Sequence, residues 1–152
     1  MRQSIQFFVP GRPRTAGSKR AFTNPKTGKP IVTDASKGSK PWKADVKHFA
    51  FQVYDGPPLE GPIMLRVIFH LPRPRSHYLK AGLRPGADTW HTKRPDADKL
   101  SRAVMDALTG VLWKDDAQVA HKTVAKLYSE RPGATISVEA LEPQKAPTEI
   151  GQ

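Results

Sequence analysis

The chain contains no cysteine, which excludes disulfide bridges, thiolate nucleophiles and thiolate-based zinc sites, and suits a reducing compartment. It also lacks any apolar run near the roughly 18 to 20 residues that a membrane span requires. Met1-Arg2-Gln3-Ser4 opens without the apolar region of a signal peptide, so the expected location is cytoplasmic. Gly28-Lys29 has no glycine five residues before it and is followed by Pro30 instead of a hydroxyl residue, which excludes a phosphate-cradling loop. His48, His70, His77, His91 and His121 show no H-x-x-x-H spacing, which argues against zinc and leaves them as surface or core residues. Acidic residues are scarce. The chain has 14 Asp and Glu against 25 Lys and Arg, a net charge of +11, which is the footprint of a protein that meets a polyanion.

The 152 residues are enough for one domain with a real core, and 38% hydrophobic residues with 15 prolines suit a mixed α/β protein with extended loops. Ser4-Ile5-Gln6-Phe7-Phe8-Val9 reads as a first strand, ended by Pro10-Gly11. A basic loop follows, with Arg12, Arg14, Lys19 and Arg20; it suits phosphate contacts and equally a solvated loop. Turn chemistry at residues 24–30 predicts a short hairpin between residues 20–22 and 31–33. A helix is expected from 39 to about 54, with an apolar stripe of Trp42, Val46, Phe49 and Val53 assigned to the core. Residues 63–71 read as a central strand interrupted by Arg66. From 72 to 95 no period is visible, while Arg73, Arg75, Lys93 and Arg94 fall among prolines and glycines; a loop this long is functional or disordered. Its Tyr78 and Trp90 can stack on unpaired bases or can pin the loop to the body. Residues 117–128 read as a strand with Val119, His121, Thr123, Ala125 and Leu127 on one face, and residues 135–140 as its antiparallel partner. The expected fold is an α+β single domain over residues 1–141, with a mixed sheet of about five strands and two main helices, and a flexible tail at 142–152.

Five of the scarce acids, Asp96, Asp98, Asp106, Asp115 and Asp116, gather between residues 94 and 119. Asp96 or Ala97 can open a helix that ends near Gly110, with Leu100, Ala103, Val104, Ala107 and Leu108 on its inner face. Asp98, Arg102 and Asp106 lie on the other side, within roughly 80° of one another. Asp115 and Asp116 follow the turn and are expected to return beside the helix start. Converging carboxylates suit Mg²⁺, which takes oxygen ligands and keeps waters, and on a phosphodiester such ions activate water and stabilise the leaving oxygen. Lys99, Arg102 and Lys114 are placed to balance the acids. Helix capping, an i,i+4 ion pair and a turn explain the same residues one by one, and spacing alone does not choose between the two accounts.

Arg94-Pro95-Asp96-Ala97-Asp98-Lys99-Leu100, Asp106-Ala107-Leu108-Thr109-Gly110 and Trp113-Lys114-Asp115-Asp116-Ala117-Gln118-Val119 together resemble the signature of the RusA family of Holliday-junction resolvases, often carried by phages and prophages. The resemblance implies a RusA-like fold and a homodimeric endodeoxyribonuclease that cuts four-way DNA junctions by paired symmetric nicks, in recombination and repair in a bacterial cytoplasm. It implies Mg²⁺, with Mn²⁺ as an alternative ion, on Asp96, Asp98 and Asp116. The family's helical lysine is replaced here by Arg102, and the asparagine often found after D-x-D by Lys99, so the cation's catalytic role passes to one of these two. Arg12, Arg14, Lys19, Arg20, Arg73, Arg75, Lys93 and Arg94 are then the DNA-binding set. The rival expectations are a junction-binding protein without catalysis and a nuclease for other branched DNA.

Overall fold

A computed structural model describes residues 3–16, 19–34 and 38–147, with backbone alone at 19–22 and 31–34. Eight strands and two α-helices follow in the order β1 (Ser4–Pro10), β2 (Lys19–Thr23), β3 (Pro30–Asp34), α1 (Ser39–Val53), β4 (Ile63–Leu71), β5 (Tyr78–Leu79), β6 (Gly82–Leu83), α2 (Ala97–Leu108), β7 (Val119–Tyr128) and β8 (Gly133–Ala140). The expected α+β class holds: one mixed sheet of four strands in the order β1-β8-β4-β7 carries both helices, and β2-β3 and β5-β6 are separate two-stranded hairpins.

β4 explains the layering. Ile63, Leu65, Val67, Phe69 and Leu71 alternate inward and are buried, while Arg66 and Ile68 point to the other face and stay exposed. Strand periodicity thus accounts for the lone arginine in an apolar run. Ile5, Phe7 and Val9 of β1 and Ala134, Ile136 and Val138 of β8 join the same inner face. On it lie Trp42, Val46 and Ala50 of α1 and the expected stripe of α2, Leu100, Ala103, Val104, Ala107 and Leu108, all buried. Each buried leucine contributes roughly 1.5–3 kcal/mol. Within α1 the expected stripe shifts: Ala50 is buried, and Val53 in the last turn is 50% exposed.

The strand pairing differs from the expectation in one respect. β8 is not the partner of β7; it lies between β1 and β4, antiparallel to both, and β7 pairs parallel with β4. The connection at residues 129–132 steps across the end of β4, where Ser129 N–H donates to Leu71 O at 2.8 Å. Its span is about two strand spacings, roughly 9.6 Å, which four residues cover easily. The gain is burial: β4, the strand with the longest apolar inner face, receives a neighbour on each side. At the crossing, a Cβ on Gly133 would meet Val9 O at 2.5 Å, so the close approach to β1 requires glycine there.

The predicted β2-β3 hairpin is present, with Phe22 opposite Ile31 and its turn closed by Gly28 N–H on Asn24 O at 2.8 Å. Residues 142–147 carry no helix or strand and are exposed; 148–152, the rest of the expected tail, lie outside the described residues. Among the described residues no helix is long and apolar enough to cross a membrane.

Candidate active site

α2 starts at Asp96, whose backbone carbonyl accepts from Leu100 N–H at 3.0 Å but whose carboxylate makes no capping hydrogen bond. The capping explanation therefore does not apply to Asp96, and its exposed carboxylate is available to a ligand. Asp98, in the first turn, reaches Arg102 at 3.7 Å with both side chains more than half exposed, a pairing that contributes little. Two hard oxygen donors thus flank the positive end of α2.

The basic loop that follows β1 comes to the same place. Ala16 N–H donates to Lys99 O at 3.3 Å, docking residues 11–16 against the helix start. Between them opens a cleft of about 580 Å³ lined by Arg12, Pro13, Arg14, Thr15, Arg94, Pro95, Asp96 and Lys99. Four cations around one uncommitted carboxylate can hold a phosphodiester, and the carboxylate offers an oxygen ligand to a divalent ion. The structure thereby joins Arg12, Arg14, Arg94, Lys99 and Asp96. The side chains of Lys19 and Arg20 lie outside the described residues.

Asp116 is elsewhere. Gly110 (φ 88°) turns the chain at the C-terminal end of α2, and Asp116 Oδ1 accepts there from the Thr109 hydroxyl and from the indole N–H of fully buried Trp113 at 3.1 Å. Twelve helical residues separate that end from Asp96, about 18 Å at 1.5 Å per residue. The expected return of Asp115 and Asp116 to the helix start does not occur within one chain, because the turn leaves them at the far end and it takes all of β7 to come back. Among the described residues no three His, Asp or Glu side chains form a metal-binding group. Asp115 caps the short turn at Asp116–Gln118, accepting from Ala117 N–H at 2.9 Å, and Asp106 pairs with Lys43 at 3.3 Å; both are structural.

What β7 brings beside the helix start is Lys126. Its ammonium donates to Lys93 O and Pro95 O, each at 2.8 Å, bracing the backbone that delivers Asp96. Lys122, four residues earlier on the same face, donates to Ser101 Oγ at 3.2 Å, and Ser101 Oγ donates to Asp98 O at 3.0 Å. Sequence reasoning missed both lysines. It grouped Val119, His121, Thr123, Ala125 and Leu127; the last four lie on the face turned away from α2, while a register shift at the start of β7 leaves Val119 packed against the core. The signal was the alternation of Lys122, Val124, Lys126 and Tyr128, which becomes meaningful only once that face is known to meet α2. Gln118 was also missed as a brace: its Nε2 donates to Leu59 O at 2.9 Å and Gly61 O at 3.0 Å, while Oε1 accepts from Lys114 N–H and Asp115 N–H.

Residues 72–95 are an ordered excursion rooted on Tyr128. His77 and His91 each contact its ring at 4.8 Å, and Arg73 lies 5.4 Å from the ring centroid. Arg73 also donates to Asp88 O at 2.7 Å, so its guanidinium is engaged in folding the loop. Arg75, Lys93 and Arg94 are exposed. Burial holds the His91 pKa below its ordinary value, and the neighbouring Lys126 charge adds to that shift.

A protein-family model described as "Endodeoxyribonuclease RusA" matches residues 10–139. A relative from Bacillus subtilis (strain 168), named "Uncharacterized protein YqaN", is 32% identical over 146 residues, 90% of this chain and 96% of the relative.

Proposed function

Because the chain belongs to the RusA family of endodeoxyribonucleases, whose members act on DNA junctions, we propose that it is a homodimeric, Mg²⁺-dependent nuclease that resolves four-way junctions by paired symmetric nicks in DNA recombination and repair. The observation that carries the reading is the cleft in which Arg12, Arg14, Arg94 and Lys99 surround the uncommitted carboxylate of Asp96. Asp96 and Asp98 suit a hard divalent ion, which prefers one or two carboxylates with water and phosphate oxygens completing its shell. When bound, such an ion supplies an activated water and a Lewis acid for the leaving oxygen. The chain's own part is to bind and orient. Arg12, Arg14 and Arg94 hold the phosphates on either side of the scissile bond. Lys99 faces the phosphate where negative charge develops, with Arg102, held beside Asp98, as the second cation.

The position of Asp116 supports the dimer. Asp98, Arg102, Met105 and Thr109 fall on one side of α2 at 100° per residue, and Thr109 holds Asp116 at the end of that line. Two copies of α2 packed antiparallel about Arg102 and Met105 set the partner subunit's Asp116 opposite Asp96 and Asp98, at an interhelical distance of about 8–10 Å. Each active site then takes carboxylates from both chains, which couples cutting to dimerisation and sets two sites in two-fold register.

Mixed dimers test this. Asp96→Asn and Asp116→Asn are each expected to lower junction cleavage on the order of a hundredfold or more. Mixing the two inactive proteins restores one complete site per heterodimer, with cutting that yields single nicks instead of paired ones. If the mixture stays as inactive as its components, the shared site is wrong. Junction binding without cutting by the wild type in Mg²⁺ would sink the nuclease reading itself.

A further inference from the structure

The excursion between β4 and α2 holds its root firmly and leaves its tip bare. Arg84 N–H donates to His77 O at 2.8 Å, and His77 is itself buried against Tyr128. From this root projects the β5-β6 hairpin, with Tyr78 opposite Leu83 and Leu79 opposite Gly82. Tyr78 is 38% exposed, Leu79 57% and Leu83 47%, so the hairpin spends none of its large apolar side chains on the core. Trp90, 63% exposed, leaves the same root and pairs with Leu127 through its backbone, while the side chains that pin the loop are those of the histidines and Arg73. Arg75, Lys80 and Arg84 flank the hairpin, all exposed, and Asp88 is the lone acid in residues 72–95.

An apolar tip with a polar rim also occurs at protein interfaces, but the rim here is wholly cationic, in a chain of net charge +11. It suits a polyanion that exposes apolar faces. Paired duplex hides its base faces, whereas a branch point presents unstacked ones, and Leu and aromatic side chains commonly insert at such steps. The root of the excursion stands beside the cleft: His91 N–H donates to Lys126 O at 3.0 Å, and the Lys126 ammonium in turn holds Pro95 O next to Asp96.

We propose that the β5-β6 hairpin recognises the branch itself: Tyr78, Leu79 and Leu83 pack against unpaired bases at the junction centre, and Arg75, Lys80 and Arg84 hold the flanking phosphates. This rests on the reading of the chain as a junction nuclease and adds the element that selects branched over linear DNA. The test uses full-length protein carrying Asp96→Asn, a four-way junction with 2-aminopurine at its branch point, and a linear duplex of the same sequence. Binding changes the branch-point fluorescence, and the preference for junction over duplex falls on the order of tenfold in the Leu79→Ala, Leu83→Ala double variant. Duplex affinity and melting temperature stay at the parent values, because these side chains are exposed. Full preference and an unchanged signal in the double variant overturn the proposal. So does a fall in molecular mass by light scattering at the same substitutions, which makes the tip a contact between copies. If the wild type cuts junctions in Mg²⁺ with no branch-point signal, the hairpin proposal fails and the nuclease reading stands. If the signal and its loss in the double variant are seen but wild-type protein cuts no DNA, the hairpin proposal stands and the nuclease reading fails.

Discussion

Replacing Lys126 with methionine keeps the aliphatic stem and removes the ammonium that donates to Lys93 O and Pro95 O, each at 2.8 Å. A hydrogen bond from a charged donor contributes about 1.5–3 kcal/mol, so the pair has an upper value of about 3–6 kcal/mol. Lys126 is half-buried, and water can replace part of what is lost, which brings the expected loss to about 2–3 kcal/mol. For a chain of this size that corresponds to a fall of roughly 4–12 °C in melting temperature. The same substitution has an electrostatic signature. Burial is the main cause of the lowered His91 pKa and Lys126 the second, so in Lys126→Met the imidazole titrates at a higher pH than in the wild type without reaching an ordinary value. Circular dichroism melting and imidazole titration by NMR read the two effects separately. Because the braced carbonyls belong to the segment that delivers Asp96, cutting of a four-way junction at saturating Mg²⁺ falls roughly tenfold or more. A variant that melts within a degree of the wild type, with His91 titrating as before, refutes the claim that Lys126 braces this segment.

Gln118→Ala removes the two bonds to Leu59 O and Gly61 O and two accepted from Lys114 and Asp115 N–H; urea unfolding should show a loss of about 2–3 kcal/mol. Stability should also depend on pH on the acid side. Burial lowers the pKa of both His70 and His91, so the unfolded chain binds more protons than the folded one once pH drops below about 6.5. Stability is then fully present above that value and declines as pH falls towards the lowered folded-state values; denaturant titrations at pH 7.5 and 5.5 that show greater stability at the lower pH would contradict this. DNA affinity should fall steeply with salt, and Arg12→Ala or Arg94→Ala should each reduce the slope of log affinity against log salt by about one, since each removes one phosphate contact in the cleft. An unchanged slope in both variants would remove the cleft from the DNA-binding surface.

Features set by a few neighbouring residues were legible in the sequence. The turn at residues 24–30 and the β2-β3 hairpin follow from Asn, Pro and Gly placement. The inner face of α2 follows from the spacing of Leu100, Ala103, Val104, Ala107 and Leu108, because a helix turns by a fixed angle per residue whatever it packs against. The D-x-D and D-D-A-Q-V elements were legible as a family resemblance for the same reason, being short and contiguous, and the family model now covers residues 10–139.

Strand order was not legible. A short turn after β7 suggests a hairpin, but β4 wins both neighbours because its inner face buries more apolar surface in the middle of the sheet than at an edge, and that competition involves residues more than fifty positions apart. The same long-range choice decides which face of β7 meets α2, and so turns Lys122 and Lys126 from surface lysines into braces under Ser101 and Pro95. The aspartates of the acidic stretch were determined by the sequence alone: which residues, and their association with a basic chain. Their distribution was decided by tertiary structure. The helix α2 separates Asp96 and Asp98 from Asp116, by about 18 Å in the case of Asp96, while the loop after β1 folds back to bring Arg12 and Arg14 to Asp96.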